Sequence, residues 1–286
     1  MAVAHSDRMR RPFLQQDVFT AVPYLGNALA VVLDGTGLSD DEMQRFARWT
    51  NLSETTFLLP PTVAGADYRV RIFTPGGELP FAGHPTLGSC HAWLQRGGAA
   101  AEAEVVVQEC GVGLVRVRRR PDGGLAFAAP PMLRHGAVDD DLVARLAAIL
   151  GVAAGDVVDA QWVDNGPGWV AVMLADADAV LALRPGSVGD LKVGVVGPYP
   201  GGSPFAYEVR AFFPHDGATV EDPVTGSLNA SLAQWLLATG RAAAPYVASQ
   251  GTAMGRAGRV HVERDDHGDV WIGGHVVTCI EGTVEL

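Results

Sequence analysis

Little in this chain suggests a covalent staple or a membrane. Its 286 residues include three cysteines, Cys90, Cys110 and Cys279. They are too few and too scattered for a disulfide framework, and no Cys-x-x-Cys occurs, so a reducing cytoplasm is the expected home. No run of about 18 apolar residues is present, and nothing is expected to span a membrane. The first dozen residues lack the apolar stretch of a signal peptide. Positive charge is also in deficit. The net charge of −11 leaves no basic stripe to displace phosphate counterions, so nucleic acid is not an expected partner. The one dense basic run, Arg116 to Arg120, alternates with valine and reads as an exposed strand face ending at Pro121-Asp122-Gly123. Walker, Rossmann and Gly-x-Ser-x-Gly signatures are missing. His84, Cys90 and His91 match no zinc spacing, so no metal is expected.

What is present is a repetition. Residues 68–75 read Tyr-Arg-Val-Arg-Ile-Phe-Thr-Pro and residues 207–214 read Tyr-Glu-Val-Arg-Ala-Phe-Phe-Pro. Each copy runs through a Gly-containing loop into a second related phrase, His84-Pro85-Thr86-Leu87-Gly88-Ser89 or Asp222-Pro223-Val224-Thr225-Gly226-Ser227. Apolar stretches carrying Trp93 and Trp235 follow. A hydrophobic content of 48% suits two folded halves of ordinary domain size. The halves are expected at 13–128 and 129–286, joined near Ala128-Ala129-Pro130-Pro131, with 1–12 a loosely ordered tail and the last strand able to pair back with the first half. Strand patterns outnumber helical ones, about two helices to a half. The fold class is therefore α+β, with two pseudo-symmetric domains, each a mixed sheet curled around a helix. Ser39 with Glu42 predicts a capped helix start. Residues 224–239 predict a helix with Leu228, Leu232, Trp235 and Leu236 on one stripe.

Three titratable residues stand out, each with two readings. Asp222 precedes Pro223 where a helix should begin, so it is either an N-cap or a chemical group. His84 is either a buried, hydrogen-bonded core histidine or its counterpart. Glu54 opens a β run and is either solvated or, between apolar walls, a general base with a raised pKa. If the two helix starts face each other across a cleft, each would offer N–H groups to a carboxylate or enolate, with Ser89 and Ser227 as helix-interior hydroxyls or added donors.

Five ordered phrases carry a resemblance: Asp17-Val18-Phe19-Thr20; Gly26-Asn27 with Ala30-Val31-Val32; Glu54-Thr55-Thr56-Phe57; Gly83-His84-Pro85-Thr86; and Glu221-Asp222-Pro223-Val224-Thr225-Gly226-Ser227, with Gln250-Gly251 also fitting. In these the chain resembles the PhzF-like isomerases of phenazine biosynthesis, within the diaminopimelate-epimerase-like fold. The resemblance implies a site between two domains, no cofactor or metal, and a homodimer. It implies that Glu54 is the general acid/base, that His84 and Asp222 relay or orient protons, and that Gly83, Gly226 and Ser227 bind a substrate carboxylate or neighbouring polar groups. The expected activity is a double-bond shift on a small unsaturated carboxylic or amino acid, in antibiotic or phenazine-type metabolism. An amino-acid epimerase or racemase and a non-catalytic binding protein are the rivals. Tyr24 and Ala28 around Gly26-Asn27, Leu228 after Ser227 and Arg256-Ala257-Gly258 depart from the family pattern, and some of them are expected to line or abut the pocket.

Overall fold

The computed structural model describes residues 9–286, and the chain separates into two compact units. The first takes in the residues up to Tyr24, then Ala28–Phe127 and His275–Leu286; the second takes in Leu25–Asn27 and Ala128–Gly274. Of the expected loose tail, residues 1–8 lie outside the described residues. Residues 10–12 belong instead to the first strand, where Arg10 pairs with Glu285 and Pro12 with Thr283.

In chain order the first unit holds β1 (Arg10–Val18), β2 (Asn27–Val32), α1 (Asp40–Thr50), β3 (Glu54–Leu59), β4 (Tyr68–Thr74), β5 (Gly77–Leu79), α2 (Gly83–Gln95), β6 (Val105–Cys110), β7 (Gly113–Arg119) and β8 (Leu125–Ala128). The second holds β9 (Arg134–Ala137), α3 (Asp140–Leu150), β10 (Asp159–Asp164), β11 (Trp169–Met173), α4 (Ala177–Ala182), β12 (Lys192–Pro198), β13 (Tyr207–His215), β14 (Ala218–Asp222), α5 (Gly226–Ala238), β15 (Tyr246–Gln250), β16 (Gly258–Arg264) and β17 (Val270–Gly274). The last strand, β18 (Val276–Glu285), pairs antiparallel with β1 in the first unit.

The pairing order is written twice. In the first unit β2 runs parallel to β3, β3 antiparallel to β4, and β4 antiparallel to β5. The chain then makes α2 and returns as β6, parallel to β4 and antiparallel to β7. In the second unit β11, β12, β13, β14, α5, β15 and β16 repeat that sequence of parallel and antiparallel steps. The repeated Tyr-x-Val-Arg phrases are β4 and β13. Their shared arginine has a structural task. Arg71 grips Glu78 of the hairpin strand with two hydrogen bonds of 2.7 and 2.6 Å and reaches Asp40 of α1. Arg210 grips Glu221 in the same bidentate way, at 2.9 and 2.7 Å, and reaches the Val180 and Leu183 carbonyls at α4. Each arginine thus ties a hairpin to the helix packed outside it, through the planar fork that suits a carboxylate.

Helix α1 is a surface helix. Met43, Phe46 and Ala47 are buried, and Ser39 and Glu42 close a capping box at its start. Helices α2 and α5 are central and apolar most of the way round, as a helix enclosed by sheet must be. The single stripe expected for α5 is therefore too narrow, since Asn229, Ala230, Ser231 and Ala233 are buried as well. Close packing is met differently in each half. On α2, a β-carbon at Gly88 would stand 2.4 Å from Leu29 Cδ2. Around α5 the small residue lies on the facing strand, where a β-carbon at Gly194 would stand 2.4 Å from Leu228 Cδ1. Leu228, one of the departures from the family pattern, is fully buried against β12, and the missing side chain at Gly194 makes room for it.

Candidate active site

The helix starts differ from their sequence reading. Helix α2 begins at Gly83 after Ala82, so Pro85 is its third residue and not its first. Helix α5 begins at Gly226 with Thr225 as N-cap, so Pro223 lies outside the helix, and Asp222 is the last residue of β14 and caps nothing. The physical reason is hairpin length. β5 ends at Leu79, before Pro80, and β14 ends at Asp222, before Pro223; from each proline the same number of residues leads to the helix. Pro80, not Pro85, is the counterpart of Pro223, and His84 occupies the place of Ser227. The two titratable residues are thus not symmetry mates. Neither helix start is capped by a side chain, which leaves first-turn N–H groups of Gly83 and His84, and of Gly226 and Ser227, at positions that favour negative charge.

In the first unit, β3 and α2 bring Glu54 and His84 together. Glu54 Oε2 lies 3.3 Å from His84 Nε2, with side-chain exposures of 15% and 6%. The solvated reading of Glu54 does not hold in this setting. Burial pushes the imidazole down to about 3, against a hydrogen bond to the Ala28 backbone that acts the other way. The contact has the geometry of an ion pair, which needs a charged imidazole; burial is the larger influence and keeps the ring neutral. The two atoms therefore meet at close range as a carboxyl oxygen and the nitrogen of a neutral imidazole. Beneath them Ser89 Oγ donates to Thr56 Oγ1 at 2.9 Å in the core, so Ser89 is a helix-interior hydroxyl. Cys90 is also a core residue, its thiol pushed up to about 12 by burial.

In the second unit, Asp222 sits in a frame of neutral donors. Asn27 Nδ2 donates to Oδ1 at 2.9 Å, and Thr225 Oγ1 donates to Oδ2 at 2.6 Å. Burial pushes the carboxyl up to about 6, against both of those hydrogen bonds and together with the neighbouring Glu221 charge. Ser227 follows Gly226 in the first turn of α5. Trp169 Nε1 donates to its hydroxyl at 3.0 Å, which turns the single hydroxyl hydrogen elsewhere, and Asn165 Nδ2 donates to its carbonyl at 2.9 Å. Trp169, Asn165 and Asn229 carry no recognisable signal in the sequence. Asn27, Thr225 and Gln250 do fall within the family phrases, but nothing there gives them a partner.

The sequence comparisons agree with one another. The family model described as "Phenazine biosynthesis-like protein" (PhzC-PhzF) matches residues 16–282. A trans-2,3-dihydro-3-hydroxyanthranilate isomerase of Pseudomonas fluorescens is 33% identical over 284 residues, 94% of this chain and 98% of that protein. A Schizosaccharomyces pombe protein named antisense-enhancing sequence 1 is 34% identical, over 94% and 97% of the two chains. In fold, the crystal structure of a PhzF-family protein from Bacillus anthracis superposes with a TM-score of 0.82 over 97% of this chain and 100% of that one, at 24% identity. The duplicated α+β architecture and these matches define an isomerase. The chain belongs to the phenazine biosynthesis-like, PhzF, family.

Proposed function

We propose that this isomerase moves a proton along a small unsaturated carboxylic or amino acid and shifts its double bonds, by acid/base chemistry of its own side chains. The observation that carries the reading is the buried 3.3 Å contact between Glu54 and His84. A carboxyl group held beside a neutral imidazole is placed to take a proton from an activated carbon and return it to another. Glu54 is the general acid/base and His84 its relay. Asp222, pushed up to about 6, gains or loses a proton near neutral pH at small free-energy cost and is the further proton carrier. Gly83 and Gly226 offer backbone N–H groups at uncapped helix starts, and Ser227 adds a hydroxyl; these hold the substrate carboxylate and the anion that forms as the proton leaves. Secondary metabolism and a homodimer belong to the same proposal and rest on the family likeness.

The Pseudomonas fluorescens relative supplies the first substrate to try, trans-2,3-dihydro-3-hydroxyanthranilate. In deuterated buffer, NMR is expected to show one solvent deuterium placed on a ring carbon together with migration of the double bonds. Exchange with inversion at one carbon and unmoved double bonds would make the protein an epimerase. No exchange with this substrate or with related dihydroaromatic acids would remove the proposal.

A further inference from the structure

We infer that Asn27, Thr225 and Gln250 are positioning residues of the reaction, a one-way chain of donors that fixes Asp222 and aims one hydrogen at each of its oxygens. The inference rests on the role proposed for Asp222 above. It begins with an anomaly at the start of α5. Thr225 is the N-cap residue, and a threonine there normally spends its oxygen on a backbone N–H of the first turn. Its side chain makes no such bond. It turns instead to Asp222, donating to Oδ2 at 2.6 Å. A stabilising cap is given up in favour of a carboxylate contact.

The direction of every bond in the network is settled by its partners. Gln250 Oε1 accepts from the Thr225 amide at 3.0 Å and from Asn229 Nδ2 at 2.8 Å, which fixes which end of that side chain is oxygen. Gln250 Nε2 then donates to Thr225 Oγ1 at 2.9 Å and to the Asp222 carbonyl at 3.1 Å, using both hydrogens. With Gln250 donating to it, the threonine hydroxyl sends its one hydrogen on to Asp222. From the other side, Asn27 Nδ2 divides its two hydrogens between Asp222 Oδ1 and the Val224 carbonyl, each at 2.9 Å. Asn27, Thr225, Asn229 and Gln250 are all buried, so these bonds act in a low-dielectric setting and their geometry is stiff.

Two consequences follow for a proton on Asp222. Neither neighbour can carry it away, because the Asn27 amide nitrogen has no acceptor capacity and the Thr225 hydroxyl, already accepting from Gln250 Nε2, is far too weak a base. Asp222 therefore exchanges its proton on the side of the carboxylate turned away from this frame. Both donors also favour the ionised form and oppose the effect of burial, which keeps the group able to work in both directions. Few charges compete with this control. On β14, Glu221 is the neighbour and is itself clamped by Arg210. Beside Asn27, Arg256 donates to the Gly26 carbonyl. Neither α5 nor β15 carries a charged side chain.

The test is a carboxyl-carbon NMR titration of the full chain labelled at aspartate, with the Asp222 signal assigned by its loss in Asp222→Asn. It needs no substrate. Thr225→Val keeps the shape and removes the donor, and the Asp222 midpoint is expected to rise by about one pH unit. Thr225→Ser restores the donor and is expected to titrate like the wild type. The acid limb of kcat/KM, read with trans-2,3-dihydro-3-hydroxyanthranilate, is expected to move in the same direction as the NMR midpoint. An unchanged Asp222 midpoint in Thr225→Val overturns the inference. If that variant does not fold, Asn27→Ser removes the other donor, and an unchanged midpoint there has the same force. Wild-type turnover by Asp222→Asn would remove the role proposed for Asp222, while a shifted midpoint in Thr225→Val would still establish the donor chain. The two failures are therefore distinguishable.

Discussion

Helices α2 and α5 are each 13 residues long, each central to its unit and each without a side-chain cap, yet the titratable groups beside them are held in opposite ways. At α2 a titratable pair stands together: burial keeps His84 neutral, 3.3 Å from the Glu54 carboxyl. At α5 a single carboxyl is framed by amide and hydroxyl donors that cannot titrate, and burial pushes it up to about 6. The difference teaches that duplication supplied the scaffold and not the chemistry. The uncapped helix starts are common to both halves; the titratable groups are not, since His84 is the counterpart of Ser227 and Asp222 that of Leu79.

The largest effect should come from removing one carrier at each start. Glu54→Gln is expected to lower kcat roughly 10²–10⁴-fold with trans-2,3-dihydro-3-hydroxyanthranilate, the usual contribution of a positioned acid/base. Asp222→Asn is expected to lose less, because the amide keeps the shape and Glu54 still removes the proton. Steady-state kinetics on the two variants checks the order. Equal losses would mean that the pair and the lone carboxyl share the proton transfer evenly, and a fully active Glu54→Gln would end the proposed mechanism.

The second contrast lies in the repeated arginines. Arg210 and its partner Glu221 are 6% and 15% exposed, whereas Arg71 meets Asp40 and Glu78 at 81% and 42% exposure. Removing one member of a buried pair typically costs about 3–5 kcal/mol, because the other charge is left uncompensated. An exposed pair is worth less than about 1 kcal/mol. Arg210→Met is therefore expected to lower the denaturation midpoint far more than Arg71→Met in urea titrations. Equal losses would show that the equivalent bonds carry equal weight despite their burial.

How much of this was open to a reader of the sequence depends on the range of the interaction. The strand repeat was legible because β4 and β13 keep Tyr, Val, Arg and Phe at matching positions, each with a fixed partner in its own unit. The α1 capping box was legible because Ser39 and Glu42 are three residues apart. The start of α5 was not, because proline is favoured at the first helical position and Pro223 looked the part, while the true cap, Thr225, has its side chain turned to Asp222. Pairing Pro223 with Pro85 followed from the same error; only the hairpin ends reveal Pro80 as its counterpart. Glu54, His84 and Asp222 could be singled out by position and phrase. The donors around Asp222 could not, since Asn27 reaches it across 195 residues of chain and no local pattern encodes that contact.

The smallest effect, and the one that bears most directly on the contrast between the two helix starts, is in stability against pH. Burial lowers His84 from 6.5 to about 3, so between those values the unfolded chain binds a proton that the folded chain refuses. That contribution to stability is complete above pH 6.5 and is lost progressively as the pH falls toward 3. Asp222 is raised from 3.8 to about 6, so in that window the folded chain holds the proton that the unfolded chain has released. Its contribution is complete below pH 3.8 and is lost as the pH rises through 6. Between about pH 4 and 6 the two slopes oppose each other and partly cancel in the wild type. Calorimetry should separate them. The Tm of His84→Asn relative to wild type is expected to fall as the pH rises from 4 to 6.5, and that of Asp222→Asn to rise over the same range, by a few degrees each at roughly 2–4 °C per kcal/mol. Differences of the same sign would mean that one of the two groups does not feel its burial, and the contrast between a titratable pair and a framed carboxyl would no longer stand.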